Sequence, residues 1–197
     1  PVDPPRGGPD PKLMIAITAQ VDQARQLLTS QRVSEAMRLA EAVLKLDPAN
    51  PAAHGVLGMA LFLKGERARG LSSLQTAAKL APTTFEHQRN LGVALQQLGR
   101  AAEAIVAFRA ALAIQPESAP TRFSLGAALL SAGDAQGAVI ELQAAIRQGY
   151  ATVGARCALA AAFERSGSPD EAQAVLSAVV AKDPRAVDAW LQLAELL

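Results

Sequence analysis

The residues able to do chemistry are few and scattered. His54 and His87 are the only histidines and Cys157 the only cysteine. No cysteine, aspartate or second histidine stands at metal-ligand spacing from either histidine, so both read as surface or inter-helix histidines rather than ligands. Cys157 has no histidine nearby to activate it and reads as a small buried or groove-lining side chain. Asp170-Glu171 and the cluster Glu66-Arg67-Ala68-Arg69 read as helix-start charges and solvated surface. No phosphate-cradling glycine loop, nucleophile elbow or carboxylate pair is present. No catalytic residue, metal or cofactor is therefore expected in this chain.

Bulk properties narrow the partners. The formal net charge is +1, so no whole-molecule field favours nucleic acid or a membrane surface. No apolar run reaches the roughly 18 residues of a spanning helix, so no membrane insertion is expected. A single cysteine cannot close an internal disulfide and does not set the redox compartment. The sequence opens PVDPPRGGPDP, without Met or an apolar signal region, which suggests that the native start lies elsewhere. Cytoplasm is the expected compartment, with an exported, processed chain as the periplasmic alternative.

The elements that position these residues repeat. Leu57-Gly58, Leu91-Gly92, Leu125-Gly126, Leu159-Ala160 and Leu193-Ala194 recur every 34 residues. So do Gly65, Gly99, Gly133 and Gly167, and the small column Ala36, Gly70, Ala104, Ala138 and Ala172. Pro48, Pro82, Pro116 and Pro184 keep the same step, which Tyr150 breaks. Several columns sharing one period mark an array. Composition agrees: 50% of residues are hydrophobic but only 4% aromatic, and alanine suits close-packed helices.

Residues 1–11 hold too many prolines and glycines to bury a core and read as a flexible lead. The patterning then predicts helices over 12–30, 34–46, 51–64, 68–80, 85–98, 101–114, 119–132, 135–148, 153–166, 169–181 and 187–197, with no strand-like alternation. The turn glycines fall where a left-handed residue ends the first helix of each pair. The small column faces Leu-Gly or Leu-Ala on the partner helix, where a larger side chain would force the helices apart. Phe108, Leu142, Leu176, Ala111, Ala145 and Val179 form the inner stripe of the second helices, which the prolines stop. Asn50-Pro51 reads as a helix start, and Ser168-Pro169-Asp170-Glu171 as a capping box with proline at the first helical position.

These residues resemble the tetratricopeptide repeat, a 34-residue helix-turn-helix unit. In residues 85–118, Leu91, Gly92, Leu95, Ala104, Phe108, Ala111 and Pro116 fit its pattern. Copies run 17–50, 51–84, 85–118, 119–152 and 153–186, with a half copy at 187–197. The first copy has Gln23-Ala24 and Gln31 in place of the Leu-Gly pair and the turn glycine. The large aromatic usual early in each first helix is present only as Trp190, with His54, Gln88, Arg122 and Arg156 in that place elsewhere.

The resemblance implies an all-α, right-handed α-solenoid whose concave face, lined by the first helices, receives a peptide or a partner's helix. The lining it implies is Arg25; then Val56, Met59, Phe62 and Leu63; then Arg89, Asn90, Val93, Gln96 and Gln97. It continues with Phe123, Ser124, Ala127 and Leu130, then Cys157, Ala161, Glu164 and Arg165. Some members hold acidic chaperone tails in a lysine and asparagine clamp; Val21, Arg25, Val56, Glu86 and Asn90 stand there instead. The asparagine ladder of O-linked N-acetylglucosamine transferases is matched only by Asn90. Met59, Phe62, Leu63, Phe123 and Leu130 around a polar centre at Arg89, Asn90 and Gln97 suit an amphipathic helix or apolar-anchored peptide.

The function this implies is a non-catalytic protein-interaction scaffold. The alternatives are the recruitment arm of a larger enzyme, such as a bacterial sulfotransferase or glycosyltransferase, and an assembly factor of an envelope or secretion machine. Residues 187–197 carry Trp190, Leu191, Leu193, Ala194, Leu196 and Leu197, more apolar surface than one neighbouring repeat can cover. Continuation of the native chain or self-association through this helix would cover the rest.

Overall fold

The computed structural model describes residues 11–196. They form eleven α-helices and, among the described residues, no strand. The expected lead lies mostly outside them, as does Leu197; Pro11 already belongs to the first helix. Every described helix lies within a residue or two of its expected bounds. The protein is all-α, of the helical-solenoid class.

The chain divides into two compact units, residues 1–82 and 83–197. In the first, α1 (Pro11–Thr29) pairs with α2 (Val33–Leu46), and α3 (Pro51–Leu63) with α4 (Arg67–Leu80). Helix α3 packs on both members of the preceding pair. Its core holds Ile17, Val21, Val43 and Ala53 in one cluster and Ala24, Ala36, Ala40 and Val56 in another.

The second unit contains α5 (Phe85–Gln97) paired with α6 (Ala101–Ile114), and α7 (Ala119–Ser131) with α8 (Ala135–Arg147). Helix α9 (Val153–Arg165) pairs with α10 (Pro169–Lys182), and α11 (Val187–Leu196) packs on both. The inner stripe is as patterned: Phe108, Leu142, Leu176, Ala111 and Ala145 are fully buried and Val179 nearly so. These side chains supply the apolar burial that holds each pair together.

Helix ends follow two rules. First helices close through a Schellman motif on a left-handed residue. At α3, the Gly65 N–H donates to Phe62 O (3.1 Å) and the Glu66 N–H to Leu61 O (2.9 Å), with Gly65 at φ +84°. Second helices α2, α4, α6 and α10 end two residues before a proline. The intervening residues Asp47, Ala81, Gln115 and Asp183 have φ of −135°, −133°, −128° and −131°, the extended conformation that a following proline imposes.

Helix α8 departs from the second rule, and the cause is local. Without a proline, it ends as a first helix does, with Gly149 at φ +97°. There the Gly149 N–H donates to Ile146 O (3.0 Å) and the Tyr150 N–H to Ala145 O (2.9 Å).

Two starts behave differently from one another. Asn50 caps α3 as expected, its Oδ1 accepting from the Ala53 N–H at 2.9 Å. Ser168 precedes Pro169 as expected, but its side chain makes no cap hydrogen bond, so the capping box is not formed. Ser168 has φ −118° and ψ 63°, and its place at this start rests on the proline at N1 rather than on its hydroxyl.

The first hairpin turn uses the same motif as the others without glycine. Gln31 adopts φ +59°, while its N–H donates to Leu28 O (3.0 Å) and the Arg32 N–H to Leu27 O (2.8 Å). A side chain in the left-handed region costs roughly 1–2 kcal/mol. Gln31→Gly is therefore expected to stabilise the first unit by about 0.5–1 kcal/mol, net of the entropy glycine adds to the unfolded chain. Equilibrium urea unfolding measures this; an unchanged or lower midpoint would count against it.

Candidate functional site

The first helices carry the expected lining at alternating depths. In the first unit, Arg25 is exposed and pairs loosely with Asp22 (3.7 Å). Met59, Phe62 and Leu63 lie on one face of α3, Met59 and Phe62 half-buried and Leu63 exposed. Phe62 also has a structural role: a Cβ added at Gly70 of α4 would stand 3.1 Å from its ring.

In the second unit, α5 contributes Arg89, Asn90, Val93 and Gln97. The Arg89 guanidinium donates to Asn90 Oδ1 at 3.0 Å, so the expected polar centre is a bonded pair. Gln97 is exposed and Val93 half-buried. Helix α7 contributes Phe123 and Leu130, both half-buried, and α9 contributes Arg165. Helix α7 touches α5 on one side and α9 on the other. Arg165 Nη1 reaches the Leu130 carbonyl at 3.4 Å. Within this unit, the first helices thus carry a half-buried aromatic ring, half-buried aliphatic side chains and two guanidinium groups, with Arg165 and Leu130 in contact.

Two lining positions fail. Val56 and Cys157 are 4% and 6% exposed, and both sit in core clusters. Val56 is packed among Ala24, Ala36 and Ala40 of the preceding pair and Cys157 among residues of α10 and α11, so neither can meet a ligand. Burial pushes the Cys157 thiol above its ordinary value, and Asp188 adds to the shift by disfavouring a second negative charge. That is the reverse of an activated nucleophile. Among the described residues, no group of three or more His, Cys, Asp or Glu could hold a metal. No described helix is long and apolar enough to cross a membrane.

The structure brings forward residues that sequence reading passed over. Tyr150, which breaks the proline column, stacks on Phe123 with ring centroids 5.0 Å apart and a 38° tilt. The column that lacks its usual aromatic has a role of its own. His54 Nε2 donates to Pro48 O (2.9 Å), Arg122 Nη2 to Pro116 O (2.8 Å) and Trp190 Nε1 to Pro184 O (3.1 Å). In each case the donor stands six residues after the proline that ended the preceding helix. The stranded carbonyl is satisfied by any side chain with an N–H at that reach. The shared signal was available: a donor, rather than an aromatic, at a fixed step beyond each proline.

Arg122 does more than cap. Its Nη1 forms an ion pair with Glu141 Oε2 at 2.8 Å, and its Nε donates to Gln148 Oε1 at 3.1 Å. Gln148 Nε2 in turn donates to Glu117 Oε2 at 3.1 Å. The guanidinium therefore ties α7 to α8 and to the turn before α7, with both charged partners about four-fifths buried.

Comparison with known proteins agrees with this architecture. Models of the tetratricopeptide repeat match residues 21–82, 64–119 and 91–151, and a further one matches 155–196. No match was found among curated proteins. Among solved structures, a MamA protein is 25% identical, with 86% of this chain and 92% of that chain covered and a TM-score of 0.74. YrrB, described as a TPR protein with an unusual peptide-binding site, is 17% identical over 90% of this chain and 91% of its own, with a TM-score of 0.80. A MamA chain from Desulfovibrio magneticus RS-1 is 18% identical over 83% and 93%, with a TM-score of 0.74. The helix pairs, the shared columns and these matches together place the chain in the tetratricopeptide repeat family.

Proposed function

We propose that this chain is a protein-interaction scaffold that receives an amphipathic helix or an apolar-anchored peptide on the exposed face of its first helices. The observation that carries this reading is the face of α5, α7 and α9. There Arg89, Asn90, Val93, Gln97, Phe123, Leu130 and Arg165 present apolar surface beside bonded but partly exposed polar groups. Arg25, Met59, Phe62 and Leu63 form the corresponding lining of the first unit. A helix lying on such a face buries its apolar stripe on Phe123 and Leu130 while its rim meets the guanidinium groups. The fold likeness to YrrB, described as having an unusual peptide-binding site, supports the reading.

The test is selection of helical peptides against the full chain from a displayed library, followed by titration of the winners against variants. Phe123→Ala is expected to weaken binding by about tenfold or more, because aromatic side chains dominate such contacts. Leu130→Ala should act in the same direction, with unchanged circular dichroism. Winners that bind both variants as tightly as the parent would overturn the placement of the face.

A further inference from the structure

One repeat after Arg122 stands Arg156, and it lacks the side-chain acceptors that hold Arg122. A shift of 34 residues carries Pro116 to Tyr150, Glu141 to Val175 and Gln148 to Lys182. Both side chains that engage the Arg122 guanidinium are therefore replaced, the carboxylate by an aliphatic side chain and the amide acceptor by a second cation. Arg156 is half-buried, and among the described residues neither it nor Lys182 has a side-chain hydrogen bond or ion pair. Burying a guanidinium without a partner is costly, so a half-buried free one favours an acceptor from outside.

Between the first turn of α9 and the last turn of α10 lies a cleft of about 260 Å³, lined by Ala151, Val153, Arg156, Val179, Lys182 and Asp183 among others. Two cations face one anion, and Asp183 is already engaged through Oδ1 by the Arg185 N–H at 3.0 Å. The remaining wall is aliphatic.

We infer that this cleft binds a carboxylate carried on a short apolar stem, which takes beside Arg156 the role that the Glu141 side chain takes beside Arg122. The guanidinium offers the planar fork that suits a carboxylate, and Lys182 adds a second positive charge. Val153 and Val179 cover the stem, which a bare inorganic anion does not have. The site is separate from the first-helix face proposed above and does not depend on it. The carboxylate has two sources, a free short-chain acid or a glutamate side chain of a partner.

The experiment is a titration of the full chain, followed by NMR of arginine Nε–Hε and valine methyl signals. The probes are butyrate, acetyl-Ala-Glu-Ala-amide, the matching Gln peptide and inorganic phosphate. Butyrate or the Glu peptide should shift the Arg156, Val153 and Val179 signals saturably in the millimolar range, while the Gln peptide should not. Whichever of the two binds more tightly identifies the source. Arg156→Gln and Lys182→Gln should each weaken binding at least tenfold, and Arg122→Gln should leave it unchanged. Val175→Glu should abolish binding by supplying the carboxylate internally. The inference is overturned if neither carboxylate gives a saturable shift, if phosphate or the Gln peptide shifts the signals equally, or if Arg156→Gln binds as the parent does.

Discussion

Replacing Phe108 with alanine is expected to lower stability by about 3–5 kcal/mol, the usual cost of emptying a buried phenylalanine site. Phe108 is fully buried and is the largest such side chain among the described residues. Its ring lies against Gly92, where an added Cβ would stand 2.6 Å from Cε1 and 2.7 Å from Cδ1. The two positions should therefore be strongly coupled. In the parent chain, Gly92→Ala should destabilise by about 1–3 kcal/mol, because the ring must move. In the Phe108→Ala background the new methyl enters vacated space, and alanine's helix propensity over glycine, about 1 kcal/mol, makes the change favourable. A double-mutant cycle by equilibrium denaturation measures the coupling. Additive effects at the two sites would show that the glycine is not kept small by the ring.

Ala104→Leu is expected to cost about 1–3 kcal/mol through overpacking, whereas the exposed change Arg109→Gln on the same helix should stay within about 0.5 kcal/mol. Ala36, Ala104, Ala138 and Ala172 are fully buried in one column. Gly70, in the same column, shows how little room there is. A Cβ built there would lie 2.9 Å from Gly58 O and 3.0 Å from the Phe62 N of the partner helix. Backbone, unlike a side-chain tip, cannot swing aside. Thermal melts of both variants test this, and equal midpoints would argue against a close crossing at the column.

The close crossing also refines what the spacing suggested. Gly58, Gly92 and Gly126 each meet the residue four positions beyond the column, Leu74, Phe108 and Leu142, and only at Gly58 does a small residue of the column, Gly70, also stand close, its carbonyl oxygen 3.0 Å from the added Cβ. A periodic column shows that a position is kept small, whereas only the packed pair shows which neighbour keeps it so.

Composition, the 34-residue columns and the proline and glycine punctuation were enough to determine the helices and their ends. These depend on local physics: propensity, the left-handed residue after a first helix, and the extended residue before a proline. Even Gly149, where a proline is missing, acts through its own φ and two neighbouring carbonyls. The candidate site was legible only in outline, because exposure depends on the angle at which one helix meets the next. Tertiary packing buried Val56 and Cys157 and left Phe123 beside Tyr150. It also decided the fate of the guanidinium groups. Arg122 and Arg156 are the same residue at the same step of the repeat, and one is held by a carboxylate, an amide and a carbonyl while the other faces an open cleft. That difference comes from side chains 19 to 26 residues away in the chain, so it rests on which residues the packing of the helices brings beside each guanidinium and not on the arginine itself.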